Sequence, residues 1–348
     1  MPKPTIQDVA ALAKVSVSTV SRVLNDHPAV SKKAREQVLE VIESLNYRPN
    51  KLARSLSSDG FDAILISYAR SSKFAVDNPY FNIIVNSIGE VAEEHGYDLI
   101  LQSSTNQQEE VTKTLSMIAD KLIKGVILLS SRVDDILIEA LGNTDIPVAV
   151  VGKYVEKSHY DNIFSVDTDN FKDSLEACKY LIRMGHTKIG CIHAPKNHYV
   201  SLDRIEGISS ALQEYDIEID EDLFVDGGHT VESAYDAALR LLCVRQDVTA
   251  IFATDDIKAL GIYQAAKQLS ISIPEQLSVI GYNDYTFSKM LTPPLTSVKV
   301  PVYDLGIVSA TKLFAMIKKG LPESNCMLPT ELKIRSSVVS KAEESPVS

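Results

Sequence analysis

No stretch of this 348-residue chain approaches the roughly 18 uninterrupted apolar residues of a membrane-crossing helix. The opening residues, Met1-Pro2-Lys3-Pro4-Thr5, lead into a polar helical pattern and lack the apolar core of an export signal. Cysteine is scarce. Cys178, Cys191, Cys243 and Cys326 stand far apart and form no C-x-x-C, so neither a disulfide framework nor a zinc set is expected. They read as buried thiols in a reducing compartment. The seven histidines are dispersed, and His193 and His198 lack the helical spacing of a metal pair. P-loop, G-x-S-x-G and H-E-x-x-H patterns are also missing. These absences predict a cytoplasmic protein that is not an enzyme and needs neither cofactor nor metal.

What is present is a 45% apolar composition, enough for a substantial core, on a length that suits two or three domains. The net charge of −11 alone argues against nucleic acid, but it is unevenly spread. Residues 1–60 carry nine Lys or Arg against six Asp or Glu, a net +3, which leaves −14 for the remainder. A small basic module on an acidic body is the pattern of a chain that brings one part to phosphate.

Three short helical patterns follow each other within that module. Thr5 with Asp8 forms a capping-box pattern over Ile6–Ala13, whose Ile6, Val9, Ala10, Leu12 and Ala13 fall on one arc. Lys14-Val15-Ser16 makes a three-residue joint, and Ser16 can cap a second helix over Val17–Asn25. At 100° per residue Val20, Val23 and Leu24 face inward, while Val17, Ser18, Ser21 and Arg22 face outward. Ser31 caps a third helix with Val38, Val41, Ile42 and Leu45 inside. Two helices on a tight joint, the second short and rich in Ser, Thr and Arg outside, predict a helix-turn-helix reading a major groove. An ordinary helical hairpin explains the apolar stripe but not the outer hydroxyl cluster, since Ser and Thr are poor interior helix formers.

The run Thr5-Ile-Gln-Asp-Val-Ala-Ala-Leu-Ala-Lys-Val-Ser-Val-Ser-Thr-Val-Ser-Arg-Val-Leu-Asn25 resembles the signature of the lactose-repressor (LacI/GalR) family of regulators. So do Tyr47-Arg48-Pro49-Asn50 and Leu52-Ala53-Arg54-Ser55-Leu56, and the similarity continues through the body. The resemblance implies that Val17, Ser18 and Arg22 read base edges and that Ser16, Thr19, Ser21, Asn25 and Tyr47 anchor on phosphates. Arg54 and Leu56 then belong to a hinge helix and linker over residues 49–60, the helix over Asn50–Leu56 forming on DNA. There Leu56 would wedge the minor groove. Residues 1–48 are the headpiece, 61–340 the sensing body, and 341–348 a disordered tail.

In the body, short β-rich runs alternate with amphipathic helices: Ala63–Ser67 before Asn82–His95, Asp98–Gln102 before Gln107–Lys121, Gly125–Leu129 before Asp134–Leu141, then Val148–Val151. A second series begins near Ile163 and includes Asn170–Met184, Lys188–Ile192, Leu202–Tyr215, Ser233–Cys243, Ala250–Ala253, Ile257–Leu269 and Leu277–Gly281. Such alternation predicts two α/β lobes with parallel sheets and a ligand cleft between them, matching the periplasmic-binding-protein-like body that the resemblance implies. The first lobe is placed at about 61–160 and 292–326, including a helix over Val302–Lys319. The second is placed at about 163–290 and 327–340, with crossings near Asp161, Leu291–Ser297 and Leu328.

Polar residues at predicted strand ends are the pocket candidates. Arg204, Asp255 and Asn283 match ligand positions of the family, and such donors and acceptors suit adjacent hydroxyls. Tyr68, Phe81 and His229 are candidates for ring packing. The run Tyr68-Ala-Arg-Ser-Ser-Lys-Phe-Ala-Val-Asp77 is longer than the common spacing and resembles maltose-operon repressors of the family. Maltose or a related α-glucoside is therefore the expected effector. A catabolite-control type of regulator using a phosphorylated carrier protein as corepressor is the alternative. The resemblance further implies a homodimer on a pseudo-palindromic double-stranded operator. A secreted sugar-binding protein would share the body but not the headpiece.

Overall fold

The computed structural model describes residues 4–24, 27–47, 60–68, 78–104, 106–129, 132–155 and 160–341, in two compact units divided between Asp62 and Ala63. Asn25, Arg54, Leu56, the hinge residues 49–59, the loop residues 69–77 and the tail residues 342–348 lie outside the described residues.

In the first unit, helices α1 (Ile6–Ala13), α2 (Val17–Leu24) and α3 (Lys32–Ser44) close on a core of Val9, Ala10, Ala13, Val20, Val23 and Val38. The capping box is formed: Asp8 N–H donates to Thr5 Oγ1 at 3.3 Å and Thr5 N–H donates to Asp8 Oδ2 at 2.8 Å. Lys14, at φ 54°, takes the left-handed conformation that turns the chain into the joint. Ser16 Oγ accepts from Thr19 N–H at 3.2 Å, and Ser31 Oγ accepts from Ala34 N–H at 3.3 Å. Leu12 departs from the predicted arc. It is 58% exposed, because at 100° per residue it lies at the edge of the arc centred on Val9, Ala10 and Ala13.

The second unit holds two six-stranded sheets with the same strand order. In the first, β1 (Ala63–Tyr68), β2 (Asp98–Ser103), β3 (Val126–Leu129), β4 (Val148–Val151), β5 (Ile163–Asp167) and β11 (Cys326–Met327) run in the order β11-β5-β4-β3-β1-β2. In the second, β6 (Ile189–His193), β7 (Phe224–Asp226), β8 (Ala250–Ala253), β9 (Ser278–Asn283), β10 (Thr296–Lys299) and β12 (Glu331–Lys333) run in the order β12-β10-β9-β8-β6-β7. Helices α4 (Pro79–His95), α5 (Gln107–Ala119), α6 (Ile136–Gly142) and α11 (Val302–Lys319) accompany the first sheet. Helices α7 (Asn170–Arg183), α8 (Tyr199–Glu214), α9 (Val231–Val244) and α10 (Asp256–Gln268) accompany the second. Covered on both faces, the central strands are apolar throughout; Val126–Leu129, Val148–Val151 and Ala250–Ala253 are buried at every residue.

Pairing moves two of the expected crossings. β5 pairs in parallel with β4, Ile163 opposite Val148, so it completes the first sheet rather than opening the second. The chain crosses after Asp167, where the apolar run gives way to Thr168 and Asp169. β10 pairs in parallel with β9, Thr296 opposite Ile280, so the chain returns to the first lobe only beyond Lys299. Both runs are short, β5 mostly apolar and β10 (Thr-Ser-Val-Lys) not, and a ladder partner decides their lobe where composition does not. One pairing is antiparallel, β10 with β12, at the edge of the second sheet. The cysteines also divide: Cys178 and Cys191 are buried, but Cys243 falls on the outer face of α9 and is exposed.

Two glycines set close approaches. A Cβ on Gly207 would stand 2.2 Å from the Phe171 carbonyl oxygen, which is how tightly α8 lies on α7. A Cβ on Gly281 would stand 2.1 Å from Asp256 Oδ1. Asp256 is fully buried and accepts from Ser297 Oγ at 2.7 Å, Ser288 Oγ at 2.6 Å and Tyr285 N–H at 3.1 Å. It thereby ties α10 to the turn after β9, which carries a candidate ligand residue.

Candidate functional site

The first unit presents a polar surface on α2. Ser16, Val17, Ser18 and Arg22 are exposed, with Thr19 and Ser21 partly so, while Val20 and Val23 are buried beneath them. Ser16 Oγ lies 2.8 Å from Ser18 Oγ and 2.9 Å from Thr19 Oγ1, a hydroxyl cluster at the helix N-terminus. N–H groups left open at a helix start favour phosphate oxygens. Val17 is 41% exposed although apolar, a surface that suits a thymine methyl. Tyr47 packs partly buried against the three-helix core.

In the second unit, the strands of both lobes end on a common cleft. A cavity of about 100 Å³ is walled by Tyr80, Phe81, Leu129, Val151, Asp167 and Leu305 from the first lobe and by Asn170, Arg204, Asp255 and Asn283 from the second. It lies beyond the carboxyl ends of the strands, where open α/β sheets hold ligands.

Arg204 is fixed from three sides. Its Nε donates to Asn170 Oδ1 at 2.9 Å, its Nη1 donates to the Thr254 carbonyl, and its guanidinium carbon lies 3.6 Å from the centroid of the Tyr282 ring. Among the described residues, no hydrogen bond engages Nη2. Tyr282 is fully buried, and burial holds its hydroxyl protonated, well above the ordinary phenol range.

Asp255 is both a helix cap and a cavity wall. Oδ1 accepts from Ile257 N–H at 2.8 Å, and Oδ2 accepts from Asn283 Nδ2 at 3.0 Å. Asn283 also donates from Nδ2 to Tyr285 Oη at 2.8 Å, and Tyr285 in turn donates to Asn78 Oδ1 at 3.2 Å. Because both neighbours of Nδ2 are acceptors, the amide orientation is settled, and Oδ1 is a buried acceptor with no partner. The backbone of Asn283 stands at φ 103°, a costly conformation for a side chain to adopt. A strained residue with an unmet buried acceptor on a cavity wall fits a ligand hydroxyl donor.

Sequence reasoning missed Asp167 and Asn170. Asp167 accepts from Thr168 N–H at 2.8 Å and from Asn170 Nδ2 at 3.2 Å. Burial pushes its carboxyl up to about 7, against the opposing pull of these hydrogen bonds and of Arg204. The signal was a polar run directly after an apolar strand, hidden by placing the crossing near Asp161. Of the aromatic candidates, Phe81 lines the cavity, while Tyr68 packs behind it with ring centroids 5.7 Å apart. His229 sits in an adjoining recess of about 50 Å³ on the far side of Arg204 and Asp255.

Among the described residues, no helix is long and apolar enough to cross a membrane, and no group of His, Cys, Asp and Glu is arranged to hold a metal.

Residues 5–50 match the model for bacterial regulatory proteins of the lacI family, and residues 178–338 match a periplasmic binding protein-like domain. The chain is 34% identical to the transcriptional regulator MalR of Clostridium butyricum, over 95% of this chain and 98% of that protein. It is also 34% identical to the ribose operon repressor of Halalkalibacterium halodurans, over 96% of each. Its fold superposes on the transcriptional regulator CelR in complex with cellobiose, with a TM-score of 0.73, 30% identity and coverage of 96% of this chain and 99% of that one. Headpiece, two-lobed body and full-length identity agree, and the chain belongs to the lacI family of DNA-binding transcriptional regulators.

Proposed function

We propose that this regulator is a repressor that binds a pseudo-palindromic operator as a homodimer and is controlled by maltose or a related α-glucoside in the interlobe cleft. The observation that carries the effector reading is the unmet Oδ1 of Asn283, buried on the wall of a cavity that also holds Arg204 and Asp255. An acceptor, a guanidinium with Nη2 unused and a carboxylate suit the vicinal hydroxyls of a sugar, and Phe81 offers an apolar face for its ring. The likeness to a regulator called MalR, and to one in complex with cellobiose, supports a glucoside. On the headpiece, Val17, Ser18 and Arg22 read bases; Ser16, Thr19, Ser21, Asn25 and Tyr47 hold phosphates; Arg54 and Leu56 act from the hinge. Deleting residues 1–60 should abolish operator binding and leave sugar binding intact.

Calorimetric titration of the full chain with maltose tests the site. Arg204→Lys loses the planar fork and Asn283→Leu the acceptor; each should weaken maltose at least about tenfold with the melting transition retained. Unchanged affinity in both variants would remove the sugar from this cavity.

A further inference from the structure

A second and larger cavity opens beside the first. It encloses about 220 Å³ and is walled by Tyr154, Tyr160, Asp135, Glu139 and Lys153 of the first lobe and Tyr199 of the second. The two cavities share their partition: Gly152 lines one and Lys153 the other, and likewise Val200 and Tyr199. Size separates their capacities. The neighbour has about twice the volume of the Arg204 cavity, 220 Å³ against 100 Å³.

We infer that the second cavity is a subsite for the further ring or rings of an oligosaccharide effector, whose first ring lies against Arg204 and Asn283. The inference rests on the glucoside reading of the first cavity.

The lining chemistry is that of a sugar subsite. Three tyrosines provide aromatic faces with hydroxyl tips, two on one lobe and one on the other. The cations nearby are already matched by acids outside the lining: Lys153 Nζ lies 2.7 Å from Asp203 Oδ1, and Arg132 Nη1 lies 2.7 Å from Glu110 Oε2. Asp135 already accepts from Leu137 N–H at 3.0 Å as the cap of α6, and the Glu139 carboxylate adds acceptors on the wall. Burial raises the Asp135 carboxyl above the usual carboxylate range, and a hydroxyl donor would relieve that cost. A cationic ligand fits less well, since Lys153 Nζ already stands 5.9 Å over the Tyr199 ring and would repel it.

The subsite also spans the lobes where they touch. Val133 N–H donates to the Asn197 carbonyl at 3.0 Å, and Lys153 of one lobe pairs with Asp203 of the other. A ring between Tyr154 and Tyr199 would contact both sides of that junction, so chain length as well as sugar identity would bear on closure.

The test is calorimetric titration of the full chain and of Tyr199→Ala and Glu139→Gln with glucose, maltose and maltotriose, with spermidine as a cationic competitor. Expected is tighter binding of maltose and maltotriose than of glucose by the wild type. In both variants that preference falls roughly three- to tenfold, the loss of one aromatic or polar contact, while glucose affinity is unchanged. Equal wild-type affinity for glucose and maltose would overturn the subsite and leave the first cavity's assignment standing. So would equal weakening of all three sugars in the variants, or displacement of maltotriose by spermidine. Failure of every sugar to bind the wild type would overturn both readings together.

Discussion

Asn283 concentrates the chemistry of the cleft because its surroundings fix everything but one atom. Its Nδ2 is held by Asp255 and Tyr285, its backbone is held at positive φ, and its Oδ1 is buried with no hydrogen-bond partner among the described residues. The turn that holds it depends on Gly281, where any side chain would meet Asp256. Gly281→Ala should therefore destabilise the fold by roughly 1–3 kcal/mol, as overpacking does, in urea unfolding monitored by circular dichroism. An unchanged midpoint would mean that Asp256 can move aside. Asp167 gives a pH signature. Its folded value of about 7 lies above the ordinary carboxylate value of 3.8, so the folded state holds more protons than the unfolded state between the two. Stability on this account falls as pH rises through that window, by up to about 1.4 kcal/mol per pH unit, and is level above it. Asp256, also pushed up to about 7 by burial, acts in the same direction. Asp167→Asn should flatten part of this slope between pH 4 and 7, measured as melting temperature against pH. A slope identical to that of the wild type would contradict the assignment.

At the scale of elements, α2 divides its faces cleanly. Val20 and Val23 are at most 5% exposed, and Arg22 between them is exposed. Arg22→Ala should weaken operator binding by roughly 1–3 kcal/mol per half-site, and base preference should relax at the position it reads. A loss that is uniform across operator variants would make Arg22 a phosphate contact instead. This helix was legible from sequence because one short amphipathic element shows both its faces in a 3.6-residue period. The long helices of the body were legible for the same reason, Val302–Lys319 to the residue. The short edge strands were not. Phe224–Asp226, Cys326–Met327 and Glu331–Lys333 are two or three residues long, and only their ladder partners make them strands. Ile163–Asp167 was visible as an apolar run, but its lobe is decided by pairing with Val148–Val151, which no local pattern encodes.

For the whole molecule, two sheets of one strand order place their carboxyl ends around a shared cleft, and that geometry converts a bound sugar into a relation between lobes. Asp255 and Asn283 could be found at the ends of recognisable strands, and Arg204, inside α8, by its match to a ligand position of the family. Asp167 and Asn170 were hidden by placing the crossing near Asp161, and the tyrosine-lined recess because Tyr154 and Tyr160 meet Tyr199 only in the folded chain. The ties across the cleft differ in strength: Tyr285 donates to Asn78 in a buried hydrogen bond, while the Lys153–Asp203 pair stands near solvent. Lys153 is 44% exposed, so its pair with Asp203 contributes no more than about 1 kcal/mol, and a ligand touching both lobes can outweigh it. A regulator so built should release or gain DNA affinity through differential sugar binding to its two states. The most direct measurement is fluorescence anisotropy of the labelled operator with the full chain, titrated with maltose at one fixed salt concentration, because affinity depends steeply on salt. The expected result is tight binding without sugar and at least a tenfold loss at saturating maltose, abolished in Arg204→Lys. Operator affinity unmoved by maltose and other α-glucosides would contradict the account.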